Sequence, residues 1–244
     1  MRGLSEAELL EIWERGITQA LSARALSLLA AACPEMTADQ IATLSIGERD
    51  ARLLGLRESL FGPDLEALVA CPECGERLQL TFSTRELLSD SKPAPDGEVA
   101  LSVAGYNLQL RSPNTKDLLA AGGQEDLAEG RNQILQSCLL SARCGGAAVD
   151  FEQLPTEVLD AAVQKIAEID PLADIRMSVS CPACKHKWRA AFDIVSFLWA
   201  EVEAWSGRIL NEVHTLASAY GWCERDILAL SSMRRQFYLD MVGA

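Results

Sequence analysis

The amino-acid sequence predicts an α+β fold, mostly helical, organised around two cysteine-bearing β-hairpins. Three observations lead there. First, Val69-Ala70-Cys71-Pro72-Glu73-Cys74-Gly75 is matched by Val179-Ser180-Cys181-Pro182-Ala183-Cys184-Lys185, and at the same offset of 110 residues Leu65 pairs with Ile175, Arg77 with Lys187, Phe82 with Phe192 and Leu88 with Leu198. Second, apolar runs enter the cysteines (Leu65 and Leu68; Ile175, Met177 and Val179). Further runs leave them (Leu78, Leu80 and Phe82; Trp188, Ala190 and Phe192), the pattern of strand, tight turn and returning strand. Third, most of the remaining length carries helical apolar stripes between capping signals.

A Cys-x-x-Cys turn places two thiolates against one metal ion, and two such turns complete the four-sulfur tetrahedron of structural zinc. Cys71, Cys74, Cys181 and Cys184 are therefore the expected Zn²⁺ ligands, and the hairpin pair is zinc-ribbon-like. Proline after each first cysteine pre-sets the turn, and Gly75 after the second permits a left-handed residue. Lys185 stands where that glycine would be, at a cost of about 1 kcal/mol. Thioredoxin-like chemistry would need one such pair at a helix N-terminus, whereas both pairs here lie between extended runs. Disulfides within each pair would suit an exported chain, and no signal peptide opens this one. A catalytic zinc would leave one position open. His186, two residues past Cys184, is the alternative to a cysteine as ligand.

The 244 residues are long enough for one large domain or two small ones, and 49% apolar content suits a globular protein. No apolar run reaches the length of a membrane span, so no membrane span is expected. Eight cysteines without a leader point to a reducing, cytoplasmic setting, with Cys33, Cys138, Cys144 and Cys223 as buried packing residues. The net charge of −13 makes nucleic acid a poor partner, because the basic clusters, Lys185-His186-Lys187 with Arg189 and Arg234-Arg235, are short. Only two histidines occur, with no Gly-x-Ser-x-Gly or Walker-type loop, so no catalytic residues and no small-molecule substrate are expected.

Three segments are expected: an N-terminal helical segment (1–44), a zinc-ribbon-like core with a mostly helical insertion (45–193), and a helical C-terminal segment packed on the core (194–244). A capping box at Ser5 to Glu8 opens a helix expected to run to about Ala32, before Pro34. A second, Ser45 to Glu48, opens a helix reaching Gly62-Pro63, and Ser83 with Glu86 marks a helix start after the first hairpin. Ser91 to Gly97 reads as a loop. Alternation on either side of Gly105 reads as a hairpin expected to extend the cysteine-bearing sheet. Asn114 with Asp117 caps a helix to Ala121, Gly122-Gly123 breaks it, and Glu125 to Leu140 reads as another, ended by Gly145-Gly146. From Pro155 a stripe of Val158, Leu159, Ala162, Val163, Ile166 and Ile169 forms a helix stopping before Pro171. After Asp193 the chain is helical, with a break at Gly221 and helices over Cys223 to Leu230 and Ser231 to Val242. Trp199, Trp205 and Trp222 are candidates for core or interface, and His214 for an ordinary core or surface histidine.

The run from Glu48 to Gly62 (Glu-Arg-Asp-Ala-Arg-Leu-Leu-Gly-Leu-Arg-Glu-Ser-Leu-Phe-Gly), entering Cys71-Pro72-Glu73-Cys74-Gly75, resembles the T-even phage baseplate hub assembly protein family, as found in phage-tail-like contractile injection systems. So do Ser196-Phe197-Leu198-Trp199, Glu212 to Ala217, Tyr220-Gly221-Trp222, Ile227 to Ser231 and Arg234 to Leu239, a resemblance extending from about Ile46 to Val242. It implies a non-catalytic structural or assembly protein of a contractile-tail baseplate, whose partners are hub, spike or wedge proteins and which is incorporated into a phage-tail-like particle. Metal binding rests on the cysteine spacing and not on the resemblance. The competing reading is an acidic zinc-ribbon adaptor in nucleic-acid metabolism, which needs a basic face built from Arg77, Lys185, Lys187 and Arg189.

Overall fold

The computed structural model describes residues 1–89, 97–122 and 126–243. The loop expected from Ser91, Gly123 of the glycine pair and a helix start at Glu125 fall wholly or largely outside them. The fold is α+β and mostly helical. The chain forms two compact units, Met1–Pro34 with Val195–Ala244, and Glu35–Ile194.

The first unit begins with α1 (Glu6–Gly16), capped by Ser5 and Glu8 in a reciprocal box, and α2 (Leu21–Ala32). The single helix expected to Ala32 is thus two. In a continuous helix the carbonyls of Gly16 and Ile17 would accept from the amides four residues on. Here they accept from the Arg24 Nε and Nη2, each at 2.9 Å, and the guanidinium also lies 4.5 Å from the Trp199 ring centroid. Gly16 meets that same indole so closely that a Cβ would fall 2.1 Å from Trp199 Cη2. Trp199 is a core residue, 4% exposed.

In the second unit, Thr37 and Gln40 cap a short α3 (Ala38–Thr43) that the sequence reading passed over. Helix α4 (Ile46–Phe61) follows with Ser45 as its cap. Only half the expected box forms, because the Glu48 carboxylate turns to Arg52 at 2.8 Å. The Asp170 carboxylate accepts instead from the Gly47 amide at 3.0 Å, a buried acid against a helix N-terminus. Beside it Arg49 and Asp50, both buried, pair at 2.7 Å. Strands β1 (Asp64–Ala70) and β2 (Arg77–Ser83) form an antiparallel hairpin, followed by α5 (Thr84–Ser89), whose expected capping box between Ser83 and Glu86 is present.

The insertion opens with strands β3 (Val99–Val103) and β4 (Tyr106–Leu110) around Ala104 and Gly105. They do not extend the cysteine-bearing sheet. They belong to a separate antiparallel sheet, completed after α6 (Thr115–Ala121) and α7 (Leu127–Cys138) by β5 (Leu139–Cys144) and β6 (Ala147–Ala148). Helix α7 therefore ends before Leu139, and Leu127, expected on its apolar side, is 91% exposed. Gly145 and Gly146, at φ +58° and +89°, form the hairpin turn between β5 and β6 and not a helix end. Helix α8 (Thr156–Ile169), with Pro155 at its N-cap, lays Val158 and Ala162 onto Leu108, Leu110, Leu135 and Ala142 of this sheet and α7. A 3₁₀ turn (Pro171–Asp174) leads into β7 (Ile175–Ser180) and β8 (Lys187–Phe192).

The rest of the first unit is α9 (Ile194–Tyr220), α10 (Glu224–Leu228) and α11 (Ser232–Val242), with the break at Gly221, φ +70°. Val213, Leu216 and Ile227 form its local core, against which Trp222, Tyr238 and Leu239 pack. Arg235, 2% exposed, bridges Glu6 (2.6 and 2.8 Å) and Glu212 (2.9 Å). Cys33 and Cys138 are buried as expected, Cys144 is half-buried, and Cys223 is exposed. His214 is exposed. Among the described residues no helix is long and apolar enough to cross a membrane.

Two tests follow from the Gly47 and Asp50 contacts. A Cβ on Gly47 would lie 1.9 Å from the Asp170 carboxylate. Gly47→Ala should therefore lower stability by about 1 to 3 kcal/mol in urea unfolding. Burial raises the Asp50 carboxyl to about 6, against the pull of Arg49 and with help from Asp193 and Asp170. A raised folded pKa makes the bound proton stabilising, so this contribution is present below the unfolded value of 3.8 and is lost as pH rises through about 6. Relative to the wild type, Asp50→Asn should gain on the order of 3 kcal/mol between pH 4 and pH 7, measured by denaturation of both proteins at each pH.

Candidate metal centre

The two cysteine hairpins are built alike. In the first, Leu65, Ala67 and Val69 face Phe82, Leu80 and Leu78 across the ladder; in the second, Ile175, Met177 and Val179 face Phe192, Ala190 and Trp188. These six pairs keep the register of the sequence repeat and mark the more buried face of each ribbon. Leu68, assigned to the inward run, points the other way and is 75% exposed, because side chains alternate along a strand. Phe82 and Phe192, equivalent in the repeat, meet edge to face at 5.3 Å.

The turns match bond for bond. The Cys71 amide donates to the Glu76 carbonyl at 2.8 Å and the Gly75 amide to the Cys71 carbonyl at 2.9 Å. Cys181 with His186 and Lys185 with Cys181 repeat the pattern at 2.9 and 3.0 Å. Gly75 has φ +75° and Lys185 φ +64°, so the lysine takes the left-handed conformation expected of a glycine. Proline after each first cysteine sits in this turn, and Cys74 and Cys184 are the more exposed residues of each pair while Cys71 and Cys181 are buried.

The sulfurs converge. Cys71 Sγ lies 3.6 Å from Cys184 Sγ, and Cys74 Sγ 3.7 Å from Cys181 Sγ. The contact of each hairpin's first cysteine with the other's second is reciprocal, as a local two-fold relation requires. All four ligand atoms lie within 4.8 Å of one another. Sulfurs around a tetrahedral ion with bonds of about 2.3 Å stand about 3.8 Å apart, so the spacing fits a metal, while it far exceeds the disulfide length of about 2.05 Å. This group can hold a metal ion.

The thiols resist common ionisation, as like charges at this distance must. Amides of Cys184 and Ala183 donate to the Cys181 sulfur and bring its pKa down to about 7. The Glu76 amide does the same for Cys74, but contact with Cys184, burial and contacts with Cys181 and Cys71 outweigh it and push that thiol up to about 12. The His186 amide lowers Cys184, and burial with the neighbouring Cys71 and Cys181 raises it overall. A divalent cation bound among the four sulfurs would instead stabilise every thiolate at once. The His186 ring stacks on Trp188 at 5.9 Å and stands outside the four-sulfur group. Sequence reasoning missed the amide-to-sulfur bonds, although the equivalent positions of Glu76 and His186 in the repeat carry the signal.

Two cysteine ribbons, with a helical and sheet insertion between them, bring together the one cysteine cluster among the described residues that could hold a metal ion. The model of the T4 bacteriophage base plate protein family matches residues 5–199, and the chain belongs to that family. The match takes in the N-terminal helices that the resemblance left out, and it stops before the quoted segments from Glu212 onward. No curated protein and no solved structure matches the chain.

Lys185 supplies a test of the turn geometry. Lys185→Gly removes the left-handed strain at φ +64° and should raise the thermal stability of the metal-loaded protein by about 1 kcal/mol or less, read by calorimetry.

Proposed function

We propose that the chain is a non-catalytic structural or assembly protein of a phage-like contractile-tail baseplate, in which Cys71, Cys74, Cys181 and Cys184 hold a structural Zn²⁺. The family match over residues 5–199 carries the reading. The four-sulfur geometry supports the metal, and thiolate ligands with tetrahedral spacing favour zinc. When bound, the ion joins two hairpins separated by the whole insertion. On this reading the core segment, 45–193, presents the insertion and the ribbons to hub, spike or wedge proteins. The particle assembles in the cytoplasm on this reading. Nucleic acid is a weaker candidate partner: Arg77, needed for a common basic face, belongs to the ribbon that carries Glu66, Glu73 and Glu76.

Purified protein should contain one zinc per chain by elemental analysis. Cys74→Ser or a strong chelator should unfold both ribbons, with a loss on the order of 10 kcal/mol of metal-linked folding energy. Cleanly purified, folded protein without metal overturns the zinc site. Deleting the gene should leave no assembled baseplates by electron microscopy, and normal particles in the deletion strain overturn the baseplate role.

A further inference from the structure

A groove of about 550 Å³ runs between the two ribbons. Its lining takes every residue of β7 from Ile175 to Val179 and three consecutive residues of β2, Leu80 to Phe82, whereas β8 gives only Arg189 and β1 gives none. Alternate residues of a strand point to opposite faces, so consecutive lining residues place the groove along strand edges. Both edges are open among the described residues, since β1–β2 and β7–β8 are each two-stranded. An open edge offers a row of backbone donors and acceptors to an incoming strand.

The second ribbon is unusually basic for this chain, and of its cations Arg176 and Arg189 line the groove. Within a protein of net charge −13, Ile175 to Phe192 carries Arg176, Lys185, Lys187 and Arg189 and no carboxylate. The equivalent stretch of the first ribbon, Leu65 to Phe82, carries three glutamates and one arginine. Two carboxylates line the groove, and both are engaged: Asp174 holds Arg176 at 2.8 Å, and Glu86 accepts from the Ser83 amide at 2.9 Å. Arg189 is exposed and has no carboxylate partner among the described residues. Ile175 and Met177, on the ribbon face opposite to Arg189, and Leu80 and Phe82 of β2 supply the apolar lining.

We propose that this groove receives an extended segment of a partner protein, which adds a strand to the free edge of β7, rests apolar side chains on Phe82 and Met177, and sets a carboxylate against Arg189. Main-chain bonds give such a strand its affinity, and alternating apolar and acidic side chains give it its specificity. A single unpaired cation in a groove with apolar lining on the other face of the strand suits such an alternating peptide better than it suits a phosphate backbone, which needs several free cations. The identity of the partner as another baseplate protein rests on the functional reading above.

The test uses the metal-loaded full chain against arrayed overlapping 15-residue peptides from the other proteins of the same baseplate, with single-stranded DNA as a second probe. The expected result is capture of peptides alternating apolar and acidic residues, slowed hydrogen exchange at Ile175 to Ser180, and capture weakened about tenfold or more by Arg189→Glu but not by Arg225→Glu on α10. The proposal is overturned if no peptide binds, if Arg189→Glu binds them equally, if protection falls outside β7, or if DNA binds in preference with steep salt dependence. Particle assembly in the deletion strain separates the two readings. A strain that needs the chain for assembly, combined with an empty array, removes the groove and leaves the baseplate role standing.

Discussion

Four sulfur atoms within 4.8 Å of one another impose the constraint on which the second unit depends. They come from turns 110 residues apart, and that proximity is possible only if the insertion starts and ends at the same place. Closing so long a loop costs entropy that grows only slowly with length, so a large insertion is tolerated once its ends are fixed. Among the thiols, the neighbours Cys74 and Cys184 help the amides ease ionisation at Cys181, while Cys74 itself is raised. The backbone turns, the amide bonds to sulfur and the contact of Phe82 with Phe192 all act at this meeting point.

A second tie acts on the same two ribbons from further back in the chain. Helix α4 leads directly into β1, and the turn after Asp170 leads directly into β7. Asp170 bonds the start of α4 through the Gly47 amide, so both ribbons are approached from a common anchor. Burial raises the Asp170 carboxyl, partly offset by the bond from Gly47, and the neighbouring Arg49 and Asp50 complete a buried charged layer. Such a layer is costly to desolvate, and it holds because each carboxylate has a donor.

Much of this was legible in the sequence because the determining signals are local. The repeat of Cys71 and Cys181, the capping residues Ser5, Ser83 and Asn114, and the stripe from Val158 to Ile169 each specify an element within a few residues. Errors arose where long-range contacts decide. Leu139 to Cys144 lacks a clear two-residue alternation, with Leu140 and Ser141 both exposed, and becomes a strand only through pairing with β4. Because β5 is the strand that pairs with β4, the β3–β4 hairpin belongs to its sheet and not to the cysteine-bearing one. The break after Gly16 is set by Arg24 and Trp199, the second of which lies at the far end of the sequence. The sulfur cluster followed from spacing, whereas the groove beside it depends on which strand edges stay unpaired, and no residue pattern encodes that directly.

The first unit is discontinuous: Met1–Pro34 packs with a segment that begins at Val195. During synthesis the opening helices must wait while roughly 160 further residues are added, on the order of ten to thirty seconds at ordinary ribosomal rates. Throughout that interval Leu9, Leu10, Leu28 and Leu29, all buried in the finished chain, have no C-terminal helices to cover them, and Glu6 has no Arg235. Burial of these leucines is thus completed only after the chain beyond Val195 has been made, and the Glu6 pair only once Arg235 of α11 has followed.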